Sequence, residues 1–365
     1  MIRKLIALLL GSAAVIFLVI ALRHPQGATS ALTVYCAAGL KKPIEAVAAE
    51  YIKETGTLIE LQFGGTGTLL SQLRIAGKGD LFIAADEGSL ADAAKLDVIR
   101  EILPLAVQHP VIAVARGNPK RIAALADLEK PDIKLALPNP EAASIGKVSK
   151  KLLGARWDTL AKKAAVMKPT VTEIAADVKI GASDAALVWD STVPQFEGLE
   201  ALNLPELSKH AEKASAAVLK STKSSVEALK FARYLAAPEK GGAIFQKLGF
   251  QPAGGDKWAA KPELILYSGG VNRPAIEQLV QDFANREGIS VTTVFNGCGI
   301  LCAAMKTMKD SSNPKFPDVY YACDVCFVPP VAEQFPEAVL LTEAEIIIAV
   351  PKGNPKGIKT LADLA

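Results

Sequence analysis

The sequence predicts an α/β protein built from two-lobed units, with the unit begun a second time in the same chain. Three observations lead there: the composition, an alternation of strand and helix patterns, and an internal repeat. The chain has 365 residues, 50% of them hydrophobic but only 6% aromatic. Its cores are therefore expected to be Ala, Val, Leu and Ile packed between sheets and helices. The repeat comes in four blocks in the same order. LTVYCAAGL (Leu32 to Leu40) returns as LILYSGGVN (Leu264 to Asn272), and FGGTGTL (Phe63 to Leu69) as FNGCGIL (Phe295 to Leu301). GDLFIAAD (Gly79 to Asp86) returns as PDVYYACD (Pro317 to Asp324), and GNPKRIAALADL (Gly117 to Leu128) as GNPKGIKTLADL (Gly353 to Leu364).

Within the first unit, Leu32 to Tyr35 reads as a strand, Lys42 to Glu54 as a helix and Leu58 to Phe63 as a strand. Thr66 to Ala76 is helical again, followed by the strand Leu81 to Ala84 and the helix Leu90 to Leu96. Such alternation predicts a parallel sheet whose ligands bind at the carboxyl ends of the strands. After Val111 to Ala115 the pattern restarts at Lys134 to Leu137 and runs to Ala186 to Trp189; two helices, Ser224 to Leu235 and Gly241 to Leu248, then follow. A chain that leaves one sheet, builds another and returns makes a clamshell. The expected boundaries are a complete domain over 31–250, with one lobe at about 31–115 plus 192–250 and the other at about 116–191. A linker over 251–262 and the first lobe of a second copy over 263–365 complete the reading, the sequence stopping at Ala365 where that copy's other lobe would begin.

The N-terminus carries Arg3 and Lys4 and then an uncharged apolar run, Leu5 to Leu22. This is the design of a secretory signal, and the run is also just long enough to span a bilayer. Residues 1–30 are thus expected to be a signal peptide or a membrane anchor, and the rest of the chain to be periplasmic or otherwise extracytoplasmic. Lys and Arg total 41 against 38 Asp and Glu, so nothing asks for a nucleic-acid partner.

The loop Gly64-Gly65-Thr66-Gly67-Thr68 falls between a strand and a helix, where free helix amides and two hydroxyls could meet an anion. It lacks the Gly-Lys-Ser/Thr ending of a nucleotide-binding P-loop. Tight turns also use glycine routinely, so the loop alone leaves a purely structural reading open.

Tyr35-Cys36-Ala37-Ala38-Gly39-Leu40, the helix start at Thr66, the string Asp80 to Asp86 and Leu187-Val188-Trp189 together resemble the periplasmic molybdate-binding proteins of ABC importers. The resemblance covers residues 32 to 250 and the available part of the second unit. It implies a type II periplasmic-binding clamshell that is not an enzyme, holds molybdate or tungstate with neutral donors and delivers it to an importer permease. Carried over by position, the ligand would meet Gly39 where the family usually has serine, Thr66, Ile145, Val171, and Trp189 where tyrosine is usual. The alternatives are another anion such as sulfate or a phosphonate, a thiol-based redox or metal-handling protein, and a membrane-anchored sensory protein.

Other polar residues assemble no chemistry. His24, His109 and His210 make no triad and no metal-ligand spacing. Asp80 and Asp86 bracket a strand and are expected to hold turns; Lys147, Lys150 and Lys151 are expected on a solvated helix face. The second unit differs in its cysteines. Cys298 stands where the first unit has Thr66, Cys302 follows four residues on, and Cys323 and Cys326 replace Ala85 and Gly88. A disulfide, specifically between Cys298 and Cys323, is expected there, with a metal or cluster site on the four thiols and unpaired buried thiols as the alternatives. Cys36 is expected to be a buried small hydrophobe.

Overall fold

The computed structural model describes residues 31–308, 312–343, 349–357, 359–360 and 363. The expected signal or anchor over 1–30, including the apolar run 5–22, lies outside them. Among the described residues no helix is long and apolar enough to cross a membrane. The chain divides into two units, the second starting at Glu263.

In the first unit, β1 (Leu32–Ala37) lies between β2 (Ile59–Gly64) and β3 (Leu81–Ala84), parallel to both, with Val34 opposite Leu61 and Leu81. All four residues of β3 are buried, which is why this strand is an unbroken apolar run rather than an alternation. The helix Lys41–Thr55 presents Ile44, Val47, Ala48 and Tyr51 to the sheet at helical spacing and stops at Gly56, whose φ of 75° ends it in the left-handed region. Each such fully buried aliphatic side chain contributes about 1.5–3 kcal/mol of transfer free energy. The chain then forms β4 (Ile99–Gln108) and, after His109 alone, β5 (Pro110–Ala115).

β5 begins a second sheet with β6 (Leu135–Pro138), β7 (Val166–Lys168), β8 (Ala185–Trp189) and β9 (Leu199–Leu202), in the order β7-β6-β8-β5-β9. The chain returns as β10 (Glu212–Leu219), which inserts antiparallel between β3 and β4, and as β11 (Gln251–Pro252) at the edge. Two sheets joined by two crossings form the two lobes.

The expected lobe boundaries need correction. Residues 110–115 and 199–202 were assigned to the first lobe, yet both strands belong to the second sheet. The alternation of apolar residues marks a strand but not the sheet it joins, and one residue between β4 and β5 leaves no loop to mark the crossing. The expected linker over 251–262 is also partly built in. Gln251 and Pro252 pair with β4, and the Trp258 ring packs 5.2 Å from Tyr234 and 6.2 Å from Tyr51.

The second unit repeats the opening of the first. β12 (Glu263–Gly269) lies between β13 (Ser290–Asn296) and β14 (Val319–Tyr321), parallel to both. The helices Arg273–Glu287 and Cys298–Met308 connect them. Small details repeat too. Asp80 Oδ2 accepts from the Thr33 amide at 2.8 Å, and Asp318 Oδ2 from the Ile265 amide at 2.7 Å. The GNPK turns match in backbone, with φ of 84° and 43° at Gly117 and Asn118, and 83° and 46° at Gly353 and Asn354. Left-handed φ at both positions favours Gly and Asn there in both copies.

Candidate functional site

The carboxyl ends of β1 and β2 and the N-termini of three helices meet between the lobes of the first unit. The helix Thr66–Ala76 starts after Gly65, Ser144–Leu153 after Ala143, and Val171–Lys179 after Thr170. The first amides of each have no acceptor within their own helix, and the helix dipoles place partial positive charge at the same ends. The small cavity they enclose has about 300 Å³ of empty space, part of it open to solvent.

All five residues anticipated from sequence, Gly39, Thr66, Ile145, Val171 and Trp189, line this one cavity. Its remaining lining includes Gly64, Gly65, Gln108, Ser144 and Thr170, and no ionisable side chain is among the lining residues. Thr66 and Trp189 are each 1% exposed, and neither Thr66 Oγ1 nor Trp189 Nε1 has a hydrogen-bond partner. Buried polar atoms are almost always paired, and this cavity lining holds two donors that are not. Thr170 is not such a group: its Oγ1 caps its helix by accepting from the Glu173 amide at 3.3 Å and donates to Glu173 Oε2 at 2.6 Å.

Two neighbours were not legible in the sequence. A Cβ at Gly39 would sit 2.9 Å from Val171 Cγ1 and 3.9 Å from Thr192 Oγ1. Thr192 is fully buried, and its hydroxyl is also unpartnered. A side chain at residue 39 would thus press on Val171, while a hydroxyl stands beside it on Thr192. Gln108, 1% exposed, donates from Nε2 to the Ala85 carbonyl at 2.7 Å and accepts from Ser191 Oγ at 3.0 Å. It ties the end of β3 to the turn after β8. The only signal for Gln108 was its place next to the crossing from β4 to β5, which the sequence did not mark, and Thr192, in the turn between β8 and β9, had none.

The lobes are closed over the cavity. The Gly67 amide donates to the Ala142 carbonyl at 2.9 Å, and Gln195 Nε2 to the Gly39 carbonyl at 2.9 Å. A Cβ at Gly67 would fall 2.2 Å from the Glu141 carbonyl oxygen, so the glycines of this loop serve close approach of backbones. Lys147, expected on a solvated face, is exposed and also forms an ion pair with Asp92 across the cleft. This pair holds the Asp92 carboxyl below the usual carboxylate range, chiefly through the hydrogen bond from Lys147. Depression of that kind keeps the pair intact above the ordinary carboxylate range and weakens it only as pH falls through Asp92's lowered pKa. Both side chains remain over 40% exposed, so the pair contributes little. Lys147→Ala is expected to weaken ligand binding no more than about fivefold at low salt and negligibly at high salt, read by titration at the two ionic strengths.

Asp80 and Asp86 hold turns. Asp80 binds the Thr33 amide and, at 2.5 Å, the Thr222 hydroxyl; Asp86 Oδ1 caps the helix Glu87–Lys95 through the Ser89 amide at 2.7 Å. Burial pushes the Asp86 carboxyl above its ordinary value.

Residues 32–251 match the family described as bacterial extracellular solute-binding protein. The chain belongs to this family. Among relatives of this solute-binding protein, a binding protein of Haemophilus influenzae is 28% identical over 225 residues, 61% of this chain and 91% of that one. The molybdate-binding protein ModA of Mycobacterium tuberculosis is 26% identical over 228 residues, covering 62% and 85%. In fold, the periplasmic molybdate-binding protein of Azotobacter vinelandii superposes with a TM-score of 0.51 at 18% identity, over 60% of this solute-binding protein and 98% of that chain. The type II clamshell expected from sequence is thereby established.

In the second unit Cys298 stands where the first unit has Thr66. Cys298 and Cys302 are buried, Cys323 and Cys326 exposed, and all four are free thiols, as is the fully buried Cys36. Cys302 Sγ lies 3.5 Å from both Tyr320 Oη and the Phe327 carbonyl. Among the described residues no group of three or more His, Cys, Asp or Glu is placed to hold a metal ion.

Proposed function

We propose that the first unit captures a small, fully deprotonated tetrahedral oxyanion, molybdate or tungstate foremost, outside the cytoplasm for an ABC importer permease. The observation that carries this reading is the pair of buried, unpartnered donors, Thr66 Oγ1 and Trp189 Nε1, in a cavity without ionisable lining. Gly39, Ile145 and Val171 would add backbone amides from a turn and two helix starts. Aimed N–H dipoles can replace the hydration shell of a dianion without a counter-cation. The same lining discriminates by protonation. Hydrogen phosphate must donate a proton to an acceptor, and no carboxylate lines the cavity; molybdate, tungstate and sulfate make no such demand. That a relative, ModA of Mycobacterium tuberculosis, is a molybdate-binding protein supports molybdate for this site.

Tryptophan emission tests the reading. Of three tryptophans, Trp189 alone lines the cavity, so molybdate should change emission of the wild type and leave Trp189→Phe silent. An unchanged response in Trp189→Phe would place the ion elsewhere.

A further inference from the structure

We infer that Cys298 and Cys323 form a redox-active dithiol that closes to a disulfide at the sheet edge of the second unit. Three positions have changed together relative to the first unit. Thr66 is replaced by Cys298, Ala85 by Cys323, and Ala37, at the end of the central strand, by Gly269. The third change makes room for the other two: a Cβ at Gly269 would lie 2.8 Å from Cys298 Sγ and 2.9 Å from Cys323 Cβ. Both cysteines therefore converge on the space that alanine fills in the first unit. The Cys323 amide donates to Cys298 Sγ at 3.1 Å, which fixes the sulfur next to the second cysteine.

The two thiols differ in access. Cys298 is 3% exposed and Cys323 is open to solvent. The oxidant is a disulfide, of an exchange protein or a small molecule. The Cys323 thiolate attacks one of its sulfurs; the S–S bond breaks and the other sulfur leaves as a thiolate. The Cys298 thiolate then attacks Cys323 Sγ in the mixed disulfide and expels the remaining oxidant sulfur. Two electrons pass from the cysteine pair to the oxidant disulfide, and the proton lost by each cysteine is taken up by a released thiolate. Burial and the neighbouring Cys298 push the Cys323 thiol up to about 11, so the first step should quicken as pH rises toward that value. The bridge would tie the start of the helix Cys298–Met308 to the end of β14. It would also leave no hydroxyl donor where Thr66 stands in the first unit.

The reduced full-length protein, incubated with oxidised glutathione, alkylated and mapped by mass spectrometry, tests the inference. A Cys298–Cys323 linked peptide is expected, with Cys36 and Cys302 alkylated after denaturation. Cys298→Ser should stop at a stable glutathione adduct on Cys323, and Cys323→Ser should leave Cys298 unmodified. Gly269→Ala should slow closure by roughly tenfold or more, because its Cβ displaces both cysteines from bridging geometry. A bridge involving Cys302 or Cys326 instead, no loss of thiols, or stoichiometric zinc or iron in the reduced protein would overturn it. None of these outcomes depends on which ion the first unit binds.

Discussion

Gly65→Ala is expected to lower the affinity for molybdate by about 100-fold or more, a loss near 3 kcal/mol, while leaving the ligand-free protein as stable as before. The backbone at Gly65 has φ −67° and ψ 140°, which alanine adopts without strain. The obstacle lies across the cleft. The added Cβ would sit 2.3 Å from the Pro169 carbonyl oxygen and 2.4 Å from that of Ala142, both on the second lobe. Backbone cannot give way as a flexible side chain can, so the lobes must part and the ligand loses its second set of donors. Calorimetric affinity alongside thermal melting of the ligand-free protein separates this from simple misfolding. Unchanged affinity would mean that closure does not contribute to binding.

Thr66→Val is expected to reduce affinity by about 5- to 150-fold, the 1–3 kcal/mol cost of leaving a buried acceptor without its donor. The same substitution should leave the ligand-free protein equally or more stable. No protein group is hydrogen-bonded to Thr66 Oγ1, so valine removes no bond of the protein's own. Thr66 is also the first residue of its helix rather than the cap, so no capping bond is lost. Opposite signs for binding and stability, measured by titration and melting, would distinguish a ligand donor from a packing residue.

How much of this could be read from the sequence depended on the range of the interactions. The helix Thr66–Ala76 and the strand Leu81–Ala84 were legible to the residue, because glycine and the local apolar pattern end them. The sheet membership of β5 and β9 was not, since strand pairing is a long-range choice that local pattern does not encode. The site showed the same division. Gly39, Thr66, Ile145, Val171 and Trp189 could be placed by resemblance and meet in one cavity. Thr192 and Gln108 gain their meaning only from neighbours distant in sequence: Gly39 for one, Ala85 and Ser191 for the other. Lys147 looked like one more surface charge on a basic helix until Asp92 came to face it from the other lobe.

Calorimetric titration of the purified protein with molybdate, tungstate, sulfate and phosphate tests the central claim most directly. The account predicts one site per chain, strongest for molybdate or tungstate, and no heat with phosphate near neutral pH. Silence with all four ions, or phosphate binding as well as molybdate, would contradict it.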